Sequence, residues 1–210
     1  MAGMTDDFPT PRAKPAEGLV RHATRAVSAV FVVGFVLAAM WVLEIFHYVL
    51  GDQILEYGIQ AHDVSDLPHV FTAPFLHANF NHLIANTVPF AILGFLSALR
   101  GMAKFLAMNV IVMIVGGLGV WFLGPPNGVT IGASILVFGY FGYLAGRGLF
   151  ERRLVDLVIA IVVGVLYGTA IAASVLPNNP QISWQGHLFG LIGGVLAAWV
   201  LRRRDAGFAL

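Results

Sequence analysis

Apolar runs of bilayer length alternate along this chain with short polar breaks, and the breaks carry nearly all the charge. Residues 26–50 form the first run. A span needs about 20 apolar residues; a signal peptide would have a shorter apolar core and a small-residue cleavage site, so this segment reads as a retained anchor. A second run, 81–99, ends at Arg100. No charge occurs between Lys104 and Arg147, a stretch about twice a span, and Gly124-Pro125-Pro126-Asn127-Gly128 divides it. That predicts a third helix near 105–123 and a fourth near 132–146. The same pattern recurs between Asp156 and Arg202, where Leu176-Pro177-Asn178-Asn179-Pro180-Gln181 separates a fifth helix (154–175) from a sixth (186–201). The expected fold class is an all-α polytopic membrane protein with six transmembrane helices.

Composition agrees with the pattern. At 58% hydrophobic and 11% charged, with mean hydropathy +0.82, the chain lies outside the range of soluble domains. With no cysteine, disulfides and thiolate metal sites are excluded. The distribution of charge says more than its sum. All 12 Lys and Arg residues fall in the N-terminal tail, the 100–104 turn, the 147–153 turn or the run Arg202-Arg203-Arg204. Basic residues mark the cytoplasmic side, so an even number of spans puts both termini in the cytoplasm. Residues 1–25, with Pro9, Pro11, Pro15, Arg12, Lys14, Arg21 and Arg25, read as a flexible basic tail, and 202–210 as a second one. Residues 26–201 make one helical domain without a detectable repeat. The loop 51–76 carries Asp52, Glu56, Asp63 and Asp66, no Lys or Arg, and some interface-seeking apolar residues. Glu44 and His47 read as interface residues at the far end of the first helix.

Within this frame a few polar residues stand out. The fourth helix carries Gly132, Gly139, Gly142 and Gly146, with Ser134 near its start. The sixth opens Gly186-His187-Leu188-Phe189-Gly190 and continues to Gly193 and Gly194. Small residues three or four apart let helix backbones approach closely in lipid, so packing through these glycines brings Ser134 to His187. Depth supports the pairing. At about 1.5 Å per residue, Ser134 stands ~20 Å above Arg147, His187 ~22 Å above Arg202, and Asn86 ~21 Å above Arg100, with His82 one turn higher. Polar groups from three helices thus share one level of a core about 30 Å thick. Such groups are expensive there and by default mark a functional site.

Each residue has a plainer reading. A serine at a helix mouth is commonly a cap or a back-bonded hydroxyl. His82 and Asn86, four apart on one face above Pro89, can be interhelical packing glue. A metal site would need His77, His82 and His187 together, but there is no His-Glu-x-x-His pattern and every carboxylate sits at a membrane edge or in a loop. A transporter would want charged or broken-helix sites through the full depth. An alcohol nucleophile needs a base within reach and donors aimed at the oxyanion. Ser134 and His187 supply the first pair; His82, Asn86 and the Ser134 N–H can supply the donors. No carboxylate shares this depth, so a Ser–His dyad is the most the chain permits. The soluble-hydrolase elbow Gly-x-Ser-x-Gly is absent, since Leu136 fills its last position.

The combination of His77, His82-Leu83-Ile84-Ala85-Asn86, Gly132-Ala133-Ser134 and Gly186-His187-Leu188-Phe189-Gly190 resembles the rhomboid intramembrane serine proteases of the bacterial six-helix type, over residues 26–201. The resemblance implies Ser134 as nucleophile, His187 as general base and then acid, and His82 and Asn86 with the Ser134 N–H as oxyanion donors. It implies a membrane-spanning protein substrate cut near the outer end of its helix, a bacterial inner (plasma) membrane location, and no cofactor, metal or nucleic-acid partner. Three features depart from the family pattern: Ile135 replaces a common glycine, Phe138 replaces a tyrosine that stacks on the histidine, and the 51–76 loop lacks a Trp-Arg pair. The alternative is a rhomboid-like protein that binds membrane clients without cutting them.

Overall fold

The computed structural model describes residues 15–126, 128–152, 154–177 and 182–202. Six α-helices account for most of them: α1 (Pro15–Leu50), α2 (Phe80–Ala98), α3 (Met102–Leu123), α4 (Ser134–Glu151), α5 (Leu154–Ser174) and α6 (Trp184–Val200). A two-residue ladder joins β1 (Ile59–Gln60) antiparallel to β2 (Val129–Thr130). Among the described residues four helices are long and apolar enough to cross a membrane: Gly18–Leu50 within α1, then α2, α3 and α5, with α6 a shorter apolar helix. Two helix boundaries differ from the expected apolar runs. The first helix begins at Pro15 rather than at 26, because a helix continues through Arg21 and Arg25 wherever no breaker intervenes; only residues 1–14 of the expected tail lie outside the described residues. The fourth begins at Ser134 itself and runs past Arg147 to Glu151, since a buried ion pair receives that arginine.

The helices sort by how much of each is covered. On α1 the stripe Ala29, Val33, Met40 and Glu44 is buried while Val30, Phe31 and Phe35 are exposed. On α5 only Asp156, Val163 and Ile171 are buried. Apolar surface on this scale is what lipid, not water, would cover. By contrast α4 is buried around nearly its whole circumference, from Ile135 to Gly148, and sits at the centre with α2, α3, α5 and α6 around it. Such a helix can approach its neighbours only where side chains are missing. A Cβ on Gly190 would lie 2.5 Å from the Ile135 carbonyl oxygen, and one on Gly194 or Gly142 would run into the carbonyl oxygens of Gly139 and Leu191 respectively. Gly139 faces α3, where a Cβ would meet Val112, and Gly186 faces the Ile135 side chain at 3.1 Å. The α4–α6 seam is therefore backbone against backbone.

The 51–76 segment, expected as a plain loop, is instead tied down. Of its short 3₁₀ turns (Asp52–Tyr57, Val64–Phe71, Ala73–Phe75), Val64–Phe71 leans on the upper end of α3, Asp52–Tyr57 packs against α1, and Ala73–Phe75 against α1 and α4. Val70 fills the notch at Gly117, Trp121 Nε1 donates to the Asp63 carbonyl at 2.6 Å, and the His62 N–H donates to the Trp121 carbonyl at 3.1 Å. At the opposite end Asp156 pairs with Arg147 at 2.5 Å and with Arg100, fastening the ends of α2 and α4 to the start of α5.

Candidate active site

Asn79 caps α2, its side chain accepting from the His82 N–H at 2.9 Å. His82 therefore occupies the first turn and Asn86 the second, on one face. The Asn86 amide donates to the His82 carbonyl at 3.0 Å, so these residues are joined through the backbone and the imidazole is left free. Gly132 faces that ring. Its φ of +122° turns the chain out of β2 into α4, and a Cβ there would lie 2.6 Å from His82 Cε1. Glycine is required at this position for its conformation and for its missing side chain together.

His77 supports the next residue along. Its Nε2 accepts from the Ala133 N–H at 3.3 Å, and its ring stands edge-on to His82 at 5.1 Å. This backbone bond fixes the residue before Ser134, a role the spacing of His77 did not announce. It needs a neutral imidazole. Burial, reinforced by His82, pushes His77 down to about 4, so the ring stays neutral well below neutral pH. A folded-state pKa below the unfolded value of 6.5 means the unfolded chain binds the extra proton. The stabilisation is therefore complete above about pH 6.5 and is lost as pH falls toward 4. Melting temperatures of wild type and His77→Gln, measured across that window, should converge as the pH falls; a constant gap would remove His77 from the turn.

Ser134 is the first residue of α4, and no acidic residue occupies the first turn, so its hydroxyl and N–H lie at the positive end of the helix dipole. Phe138, one turn further along the same face, stacks on the His187 imidazole with ring centroids 4.1 Å apart and planes at 12°. Ser183 caps α6 by accepting from the Gly186 N–H at 3.2 Å, which sets His187 in the first turn. His187 Nδ1 lies 3.0 Å from the Ser174 carbonyl oxygen at the end of α5. A carbonyl only accepts, so Nδ1 carries the proton and Nε2 is left with its lone pair. Sequence reasoning missed this backbone partner because a main-chain acceptor has no residue signature. Ser134, His187, His82 and Asn86 line one cavity of about 1330 Å³, walled also by Phe138, Tyr167 and Ile171. No hydrogen bond joins Ser134 to His187 here; catalytic pairs commonly close only with substrate bound. Among the described residues no three His, Asp or Glu side chains gather as a metal site.

Two of the departures have local counterparts. Ile135 is 2% exposed, and its Cγ2 occupies the notch left by Gly116 on α3. Phe138 keeps the stacking surface without a hydroxyl.

A helical membrane fold with a polar cleft at the mouths of three helices defines the class. The Rhomboid domain family profile matches residues 64–204, and the chain belongs to that family. A similar protein of Mycobacterium tuberculosis, described as uncharacterized, is 41% identical over 172 residues, covering 79% of this chain and 72% of its own. An uncharacterized Mycobacterium leprae protein is 36% identical over 197 residues, covering 90% and 77%. The "Putative rhomboid protease YdcA" of Bacillus subtilis is 30% identical over 177 residues, covering 80% and 87%. The chain is a multi-pass membrane protein with bacterial homologues.

Proposed function

We propose that this chain is an intramembrane serine endopeptidase that cuts transmembrane protein substrates near the outer membrane leaflet. The observation that carries the reading is the single cavity shared by Ser134, His187, His82 and Asn86, with the His187 tautomer set by a carbonyl. Ser134 Oγ attacks the scissile carbonyl carbon while His187 Nε2 takes its proton. The carbonyl oxygen becomes an oxyanion held by the Ser134 N–H, His82 and the Asn86 amide. As the tetrahedral species collapses, His187 returns the proton to the leaving amine and an acyl-enzyme remains. Water enters and gives a proton to His187 Nε2 as it attacks the acyl carbon. The second tetrahedral species collapses by breaking its bond to Ser134 Oγ, which takes the proton back from His187 as the new carboxyl end is released. The low-dielectric surroundings make fixed donors more effective than in water.

A serine-reactive fluorophosphonate tests this against a client-binding protein with no hydrolysis: membranes carrying wild type should label, and those carrying Ser134→Ala should not. Equal labelling of both ends the nucleophile assignment. For the donors, Asn86→Ala should lower kcat and kcat/KM together, on the order of 10²–10³, with KM nearly unchanged. Its stability cost should be only about 1 kcal/mol, as for one ordinary hydrogen bond. A large fall in melting temperature with normal turnover in the folded fraction would make Asn86 a packing residue.

The same proposal includes six spans with both termini cytoplasmic, in a bacterial inner membrane, and one domain over residues 26–201. α4 and α6 then cross as the covered inner helices, and the basic residues occupy one side. A reporter fused after Leu210 should read cytoplasmic. A periplasmic signal would invert the depth of the site.

A further inference from the structure

At the end of the bundle opposite the catalytic cavity, a separate crevice of about 340 Å³ opens between the start of α1 and the α2–α3 turn. Arg21, Thr24, Arg25 and Ser28 form one wall, and Gly101 and Met102 the other. The basic residues of this end fall into two groups. Arg100 and Arg147 both reach Asp156, whereas among the described residues no ion pair involves Arg21 or Arg25. Like charges four apart on a helix repel one another, and an anion held between them turns that cost into attraction. The Thr24 hydroxyl is turned back to its own helix, donating to the Val20 carbonyl at 3.0 Å. The lining residues that keep side-chain donors for a ligand are thus Arg21, Arg25 and Ser28. Planar guanidinium forks fit phosphate oxygens in pairs.

Height along α1 identifies the source of the phosphate. The segment Gly18–Leu50 has 33 residues, about 50 Å of helix against a hydrocarbon core of about 30 Å. With Leu50 at the outer edge, the first turns of α1 pass through the inner headgroup layer, where Arg25 borders the apolar run. Apolar Ala98 and Met102 line the same crevice, which suits the glycerol and upper acyl portion of a lipid better than a free ion.

We propose that this crevice binds the phosphodiester headgroup of an anionic phospholipid of the inner leaflet and so anchors α1 to the α2–α3 turn. The inference rests on the cytoplasmic placement of this end of the bundle, which the terminal reporter tests separately. It does not depend on catalysis. The experiment uses the full chain in detergent, with native mass spectrometry for retained lipid and a melting curve for stability. Additions are phosphatidylglycerol, phosphatidylcholine or inorganic phosphate. Phosphatidylglycerol should be retained and raise the wild-type melting temperature by several degrees, while phosphatidylcholine and inorganic phosphate should do neither. Arg21→Gln with Arg25→Gln should lose both effects; Arg202→Gln, which removes a charge outside the crevice, should keep them. If the double glutamine variant does not fold, Arg21→Lys with Arg25→Lys keeps the charge, loses the fork, and should retain less lipid. Retention unchanged in the double variants, equal loss in Arg202→Gln, or an equal response to inorganic phosphate would each overturn the proposal.

Discussion

Ser134→Ala and His187→Ala should each bring hydrolysis of a reconstituted transmembrane peptide to background, a loss on the order of 10⁴–10⁶ in kcat. The double variant should be no worse than either single one, because a nucleophile and its base act as one unit. Both variants should still insert and fold. Ser134 sits half-buried at the cavity mouth, and removing its hydroxyl leaves no buried group without a partner. His187→Ala is less innocent, since it strips the ring from Phe138 and the donor from the Ser174 carbonyl. His187→Phe keeps the stacking and isolates the base. Peptide turnover in liposomes, with melting curves for each protein, is the measurement. Full turnover by Ser134→Ala would end the assignment, and so would additive losses.

Much of this arrangement was legible in the sequence for a physical reason. Bilayer-length apolar runs broken by Gly-Pro-Asn clusters have few interpretations, and glycines spaced along two helices mark where backbones meet. Depth counted from Arg100, Arg147 and Arg202 put Ser134, His187 and Asn86 on one level, and the structure places them around one cavity. What escaped was chemistry carried by the main chain. The Ser174 carbonyl behind His187 and the Ala133 N–H on His77 involve backbone atoms that every residue has. The 51–76 segment escaped as well, because its order comes from Trp121 and Gly117 on α3, far away in sequence. The buried pairing of Asp156 with Arg147 was also hidden. Counting charges as helix ends treats each one as solvated, and that placed the end of α4 too early.

Gly194→Leu and Gly142→Leu should be the most damaging substitutions outside Ser134 and His187. A leucine at Gly194 would point into the Gly139 carbonyl and one at Gly142 into the Leu191 carbonyl. Backbone cannot step aside as a flexible side chain can, so α4 and α6 would have to separate. Overpacking a well-filled core by a few methylenes already costs about 1–3 kcal/mol, and displacing a whole helix seam costs more. Separation also moves His187 off Phe138 and away from the face of α4 that carries Ser134. The expected result is a lower melting temperature in detergent together with loss of fluorophosphonate labelling in whatever fraction stays folded. Gly164→Ala and Gly168→Ala supply the contrast. Both lie on α5 with nothing within 4 Å of a new Cβ, and alanine in a helix interior is favoured over glycine by about 1 kcal/mol. Those two variants should label normally and melt no lower than wild type. If Gly194→Leu instead keeps the wild-type melting temperature and labels at the wild-type rate, the α4–α6 seam does not position the dyad.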